Sequence, residues 1–551
     1  MELPELLAAL SDPAAYPRPG PVEVRQTHIS AVFLVGDSAY KIRKPVNFGF
    51  VDFSTLTKRK RDCDEEVRLN RRLAPAVYRG VVPITAEDGK VRVGGTGEPI
   101  EWAVEMVRLP DDATLAQRLA RGEVTAAQVE NIARRVAEFH RAAERGDHVS
   151  RYGHFDVVAG NARENFAQTA SHVGVTVRRP VCDRCRELTE KALADLKPLI
   201  ESRAARGVPC DTHGDLHLSH VYVFPDRAPP DDLVIIDCVE FAERFRFADP
   251  VADIAFLVMD LAYDDRRDLA RACADAYFAV ASSLESRLQP DEAGPPGAPG
   301  LPTNAGTPTK APDDEGRALL PFYVSYRAVV RAKVKGMGAQ ESEVAEAQRN
   351  RMRAEAQAHW LFALGTLEEP NRRPGLVLVG GLPGTGKSTL SRGLAAAANF
   401  TVIRSDEVRK ELAGVPVTAR AEGFYTPEWT ERTYAECLRR AEDVLRVGGR
   451  VIVDASFSDE SHRTTFLDAA RRLGVPGLLL VCQADAAIVR ERLRKRRCDV
   501  SDADAGVYEE MAAQWDALSP ETTRRAVEID TTDAATATQA AMQSLARTGL
   551  A

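Results

Sequence analysis

Leu376-Val-Leu-Val-Gly-Gly-Leu-Pro-Gly-Thr-Gly-Lys-Ser388 is an apolar run that breaks into glycines and closes on a lysine and a hydroxyl residue. Residues 376–379 read as a buried strand, and a helical pattern opens at Lys387. Between them, Gly381, Leu382, Pro383, Gly384, Thr385, Gly386, Lys387, Ser388 and Thr389 have the composition of a loop whose backbone N–H groups turn inward around phosphate oxygens. In such a loop Lys387 reaches the β and γ phosphates, Ser388 offers its hydroxyl to magnesium, and the helix start favours the anion. ATP and Mg²⁺ are therefore the expected cofactors.

Working outward, strand-like runs at 400–403, 450–453, 477–481 and 527–529 alternate with helical patterns. That alternation predicts a parallel sheet with right-handed crossovers, an α/β domain over 370–551. The second run leads into Asp406 and Arg409, and the third ends on Asp454. Acids at the C-terminal ends of parallel strands face the ligand crevice. Asp406 is the candidate base for an acceptor hydroxyl, Arg409 the clamp for an anionic substrate group, and Asp454 a magnesium ligand. At these residues the chain resembles the P-loop small-molecule and polynucleotide kinases, such as gluconate kinase and the zeta-toxin-like kinases. Arg490-Glu-Arg-Leu-Arg-Lys-Arg-Arg497 looks like the arginine lid of such kinases, with Arg494 and Arg497 as the candidates to close on the phosphates.

The 551 residues predict two or three compact units, and 44% apolar with 28% charged residues is a soluble, globular profile. A net charge of -8 speaks against a nucleic-acid coat or a membrane-surface protein. There is no apolar run of about 18 residues to span a bilayer. Met1-Glu-Leu-Pro-Glu5 lacks the basic and apolar regions of a leader, so a cytoplasmic location is expected. Nine cysteines suit a reducing compartment. Cys182 and Cys185 have metal-ligand spacing but no second pair, so a plain helix-face pair is the simpler expectation.

Upstream, strand-like runs at 31–35, 39–42, 80–84 and 102–106 flank a charged helical segment over 54–73. This predicts an α+β domain over 1–368, with a small β-rich lobe at about 22–110 and a helical lobe at 111–368. Residues 289–315, dense in Pro, Gly, Ala and Thr, read as a disordered insert within the helical lobe. The domain boundary is placed at 368–374.

His213-Gly-Asp215-Leu-His217 precedes Asp237, which ends an apolar run 22 residues after Asp215. A catalytic-loop acid and a downstream metal-holding acid are what phosphoryl transfer asks for. Here the chain resembles the aminoglycoside phosphotransferase and choline kinase family, with its two-lobed protein-kinase-like fold. The resemblance implies Lys41 as the ATP-phosphate lysine, Glu66 as its ion-pair partner, Asp215 as the base and Asp237 as a magnesium ligand. It also makes Asp249 and Asp253 the acids that support the catalytic loop. His220 stands where the family places a metal-binding Asn, and imidazole is a poorer magnesium ligand than an amide oxygen. The two halves together resemble bacterial fusion proteins of an aminoglycoside phosphotransferase-like and a P-loop ATP-binding domain. The implied activity is ATP-dependent phosphotransfer to a small-molecule hydroxyl. The alternatives are a nucleotide-sensing regulatory protein with a weak first kinase domain, or a kinase of polynucleotide ends.

Overall fold

The computed structural model describes all residues except 48–50, 88, 289–313, 342–343, 417–422, 425 and 496–504. Two compact units emerge, and neither is continuous in the chain. The first holds Met1–Val158, Leu196–Ala262 and Arg266–Tyr323; the second holds Ala159–Asp195, Tyr263–Asp265 and Val324–Ala551. The expected insert lies outside the described residues apart from Asp314 and Glu315, which open the helix Asp314–Gly338. Among the described residues no helix is long and apolar enough to cross a membrane.

In the first unit six antiparallel strands form one sheet: β1 (Val22–Gln26), β2 (Ser30–Val35), β3 (Ser38–Arg43), β4 (Tyr78–Glu87), β5 (Lys90–Val93) and β6 (Pro99–Val107). Their order is β1-β2-β3-β6-β4-β5, which puts β3 in the interior, with Lys41 opposite Val104 of β6. β1 and β5 are short and rich in charge, so the apolar pattern does not announce them. Between β3 and β4 runs the helix Leu56–Asn70, begun by the Thr55 hydroxyl accepting from the Lys58 N–H. Its buried face is polar: Arg59, Asp62, Glu66 and Asn70 recur at helical spacing beside Cys63 and Val67. Such groups stay buried only when paired, and each charged one is: Arg59 Nε to Glu101 at 2.7 Å, Asp62 to Arg43 Nε at 2.5 Å, and Glu66 Oε2 to Arg43 Nη2 at 2.6 Å. Two small antiparallel pairs follow, β7 (Cys210–Asp211) with β10 (Phe247–Ala248) and β8 (Val221–Val223) with β9 (Leu233–Ile235).

The second unit contains the expected parallel sheet, of β11 (Gly375–Gly380), β12 (Thr401–Arg404), β13 (Arg450–Asp454), β14 (Gly477–Gln483) and β15 (Ala526–Asp530). Their order is β12-β13-β11-β14-β15, all parallel. The central strand β11 is buried on both faces, as its unbroken apolar run requires. Val377, Val379, Ile452, Leu478 and Leu480 pack with Leu390 and Leu394 of the helix Lys387–Ala398 and with Leu545. Each such side chain contributes about 1.5–3 kcal/mol by leaving water. That packing fixes the helix against β11 and makes the loop between them short.

Candidate functional site

The loop after β11 has the geometry its glycines imply. Gly381 sits at φ 140, and a Cβ there would lie 2.6 Å from the Cys482 carbonyl oxygen. Gly386, at φ 96, caps the helix that starts at Lys387. The Lys387 ammonium folds back over the loop and donates to the Gly381 and Leu382 carbonyls at 2.9 and 3.0 Å. Thr385 Oγ1 also donates to the Leu382 carbonyl, at 2.7 Å. Asp454, at the end of β13, is 4% exposed and bonded to the Ser388 side chain. Burial pushes its carboxyl up, against the opposing charge of Lys387. Among the described residues its Oδ2 accepts no hydrogen bond. A hydroxyl beside a buried carboxylate, one of whose oxygens accepts no hydrogen bond, is a hard-oxygen donor set, and it fits magnesium.

Asp406 lies in the first turn of the helix Ser405–Ala413, directly after β12, and its charge is felt at Asp454. Arg409 is buried and donates to the Phe424 carbonyl at 2.8 Å and to Thr430 Oγ1 at 3.4 Å. Of the expected lid arginines, Arg494 is exposed and turns back to the Arg490 carbonyl at 3.4 Å, and Arg497 lies outside the described residues. Among the described residues of this basic run, Arg492 is brought to the phosphate loop. Its Nη2 donates to the Thr531 and Thr532 carbonyls at 2.8 Å each, and its Nη1 lies 3.5 Å from where a Gly386 Cβ would stand. The available signal was helical phase: Arg492 follows the fully buried Val489 by three positions, so both share one face of the helix Ala486–Lys495.

In the first unit, Lys41 Nζ contacts Glu66 Oε1 at 2.9 Å and Asp237 Oδ1 at 2.8 Å. Burial works against the Lys41 ammonium, but Asp237 and Glu66 outweigh it and hold its pKa above that of an ordinary lysine. Burial likewise works against the Asp237 carboxylate, and Lys41 and then His220 outweigh it, so this carboxyl is held low. Asp237 sits at φ 66, and its N–H donates to the Tyr78 hydroxyl at 3.3 Å. The sequence did not single out Arg43 or Glu240. Arg43 Nη2 bonds to both Glu66 and Glu240, so Glu66 is held by two cations.

Hydrogen bonds fix the segment around Asp215 and the tautomers of its histidines. Asp253 accepts from the His213 and Gly214 N–H groups at 2.9 Å each, and from His140 at 3.0 Å. Asp249 instead pairs with Arg203 at 2.7 Å. His213 Nε2 donates to the Ile236 carbonyl at 2.9 Å, tying the Asp215 loop to Asp237; burial lowers its pKa and keeps the ring neutral. His220 Nδ1 donates to the Asp215 carbonyl at 2.9 Å. Its Nε2 faces Asp237 Oδ2 at 3.4 Å. A ring nitrogen and a carboxylate, with the far N–H held by a backbone carbonyl, form a donor pair that fits a divalent cation. The ligand atoms of Asp215, His217 and His220 also lie within 4.8 Å of one another. His217 Nδ1 already accepts from the Ser219 N–H at 3.2 Å, so its Nε2 carries the proton and faces Asp215 Oδ2 at 3.6 Å.

Cys182 and Cys185 share a buried face of the helix Arg179–Ala205, and burial raises both thiols. They are held as neutral core groups.

Residues 376–518 match the family model AAA_33, described as an AAA domain. Among solved structures, a gluconokinase from Sinorhizobium meliloti 1021 is 22% identical and covers 32% of this chain and 94% of its own, with a TM-score of 0.25. A shikimate kinase from Aquifex aeolicus is 15% identical over 32% of this chain and 98% of its own, with a TM-score of 0.24. Over 507 residues the chain is 31% identical to the uncharacterized proteins Rv2004c of Mycobacterium tuberculosis and Mb2027c of Mycobacterium bovis, spanning 90% of this chain and 91% of theirs. With that identity over nine-tenths of both lengths, this chain belongs to the family of Rv2004c and Mb2027c.

Proposed function

We propose that the protein is an ATP-dependent phosphotransferase whose second unit, with its kinase domain at 370–551, transfers the γ-phosphate to a small-molecule hydroxyl. The observation that carries this is the meeting of Lys387, Ser388, Asp454 and Asp406 at the C-terminal ends of three adjacent parallel strands. In this reading the Lys387 ammonium exchanges the Gly381 and Leu382 carbonyls for phosphate oxygens. Asp406 accepts the acceptor's proton, and Arg409 holds the acceptor's side of the crevice. Magnesium, held by Ser388 and Asp454, would neutralise charge on the β and γ phosphates. ATP as donor suits a cytoplasmic location.

The first unit, within residues 1–368, reads as a second nucleotide site of the aminoglycoside phosphotransferase type. It is supported by the contacts of Lys41 with Glu66 and Asp237. Lys41 would bind the ATP phosphates, Glu66 would orient it, Asp215 would be the base, and Asp237 with His220 would hold the divalent ion. The imidazole of His220 favours a slower, nucleotide-sensing role for this unit.

The test is ADP release by the full chain against pooled sugars, nucleosides, RNA ends and aminoglycosides. Lys387→Ala should abolish most turnover with the second unit's acceptor, and Asp215→Asn should spare it. Turnover untouched by Lys387→Ala would overturn the assignment. Activity on RNA ends alone would favour the polynucleotide-kinase alternative.

A further inference from the structure

Strand β12 ends on Arg404, whose guanidinium turns toward the phosphate-binding loop. Its Nη2 donates to Ser388 Oγ at 3.3 Å, its Nε lies 3.5 Å from Asp454 Oδ2, and its Nη1 donates to Glu407 Oε1 at 2.9 Å. Ser388 and Asp454 are the two groups that would hold a divalent cation here. Asp454 is 4% exposed, and a carboxylate so buried is costly without a positive charge nearby. Lys387 and then Arg404 supply that charge, Arg404 through long contacts. Arg404 also donates to Glu407, one helical turn along and 38% exposed at its side chain. The guanidinium thus lies against both metal-type ligands and is tethered by Glu407 from the more exposed side.

We propose that Arg404 is a built-in stand-in for the divalent cation. Its guanidinium lies against Ser388 and Asp454, the two groups a metal would use, and it gives up these contacts for phosphate oxygens when a metal–nucleotide complex binds. The guanidinium fork gains bidentate phosphate oxygens as it gives up Asp454, so its displacement costs little when phosphate arrives with the metal. A free divalent ion offers no such exchange and must displace a cation from a buried carboxylate. The site therefore discriminates against free metal and admits metal with a nucleoside di- or triphosphate. This rests on the reading of the second unit as a metal–nucleotide site.

Manganese titration of the full chain, with free Mn²⁺ followed by electron paramagnetic resonance, tests it. Wild type should bind Mn²⁺ weakly at this site alone and much more tightly with ADP. Arg404→Ala should raise nucleotide-free Mn²⁺ affinity by about tenfold or more, and should shrink the coupling between Mn²⁺ and ADP by a similar factor. Arg404→Lys, with one ammonium in place of the fork, should fall between the two. Glu407→Gln removes only the tether and should shift affinity the same way by a smaller factor, which keeps the test open if Arg404→Ala does not fold. Metal bound by the first unit is common to all four proteins, so the differences isolate Arg404. Equal nucleotide-free Mn²⁺ affinity in all of them, with ADP binding intact, would overturn the proposal. Failure of wild type to bind Mn²⁺ with ADP at the second unit would overturn the metal–nucleotide reading itself, and the stand-in with it.

Discussion

Lys41 Nζ and Asp237 Oδ1 stand 2.8 Å apart although 196 positions separate them in the chain. Through this contact strand β3 is tied to the segment after β9, with Glu66 closing the group from the helix behind. Lys41→Met should therefore act on stability as well as on nucleotide binding, because it leaves Glu66 and Asp237 facing each other with less compensation. Asp237 is 43% exposed at its side chain, so water screens part of the loss, and a cost of about 2 kcal/mol is expected. Denaturant unfolding would show it, together with loss of ATP binding by the first unit. An unchanged midpoint would mean that the three groups contribute nothing as an ion-pair cluster.

Asp406→Asn keeps the shape of the helix start after β12 and removes the base. Transfer to the acceptor should fall by roughly 10²-fold or more while ATP affinity stays nearly intact. Single-turnover kinetics beside equilibrium nucleotide binding separates the two quantities. If binding and the fold collapse together, Asp406 serves the helix start alone.

His220→Asn exchanges the ring nitrogen facing Asp237 for an amide. Imidazole suits manganese better than an oxygen ligand does relative to magnesium. Wild-type first-unit turnover should thus be higher with manganese, and the variant should shift the preference toward magnesium. Binding of each metal by calorimetry, alongside ADP release, would reveal the shift. The same metal preference in both proteins would rule His220 out as a ligand.

Glu240 is pushed up to about 8, chiefly by burial and against the pull of Arg43. In the folded chain it holds a proton that the unfolded chain has already released above its ordinary value of 4.5. Between those values the folded state binds more protons, so stability falls as pH rises toward 8. Thermal melting from pH 5 to 9 in metal-free buffer should show a decline that Glu240→Gln flattens. An equal decline in the variant would place the titrating group elsewhere.

The strand–loop–helix at 376–389, the alternating elements after it, and the acids at the ends of β12 and β13 were legible in the sequence, because each is written in adjacent or periodically spaced residues. Apolar runs mark buried parallel strands, and glycines mark a loop that no Cβ can enter, as at Gly381. The pairing of Lys41 with Glu66 was reached through a family resemblance, and the structure places the two groups 2.9 Å apart. Tertiary structure alone decided the rest. Arg404, Arg43 and Glu240 carry the same charges as many surface residues around them, and nothing local says which will be carried to a buried carboxylate. The compact units were equally hidden: residues 159–195 and 324–367 are helical in texture like their neighbours, yet they fold with the parallel sheet. Helical period tells which face of a helix is apolar. Which partner covers that face is a long-range matter, settled only when segments far apart in the chain bury their surfaces together.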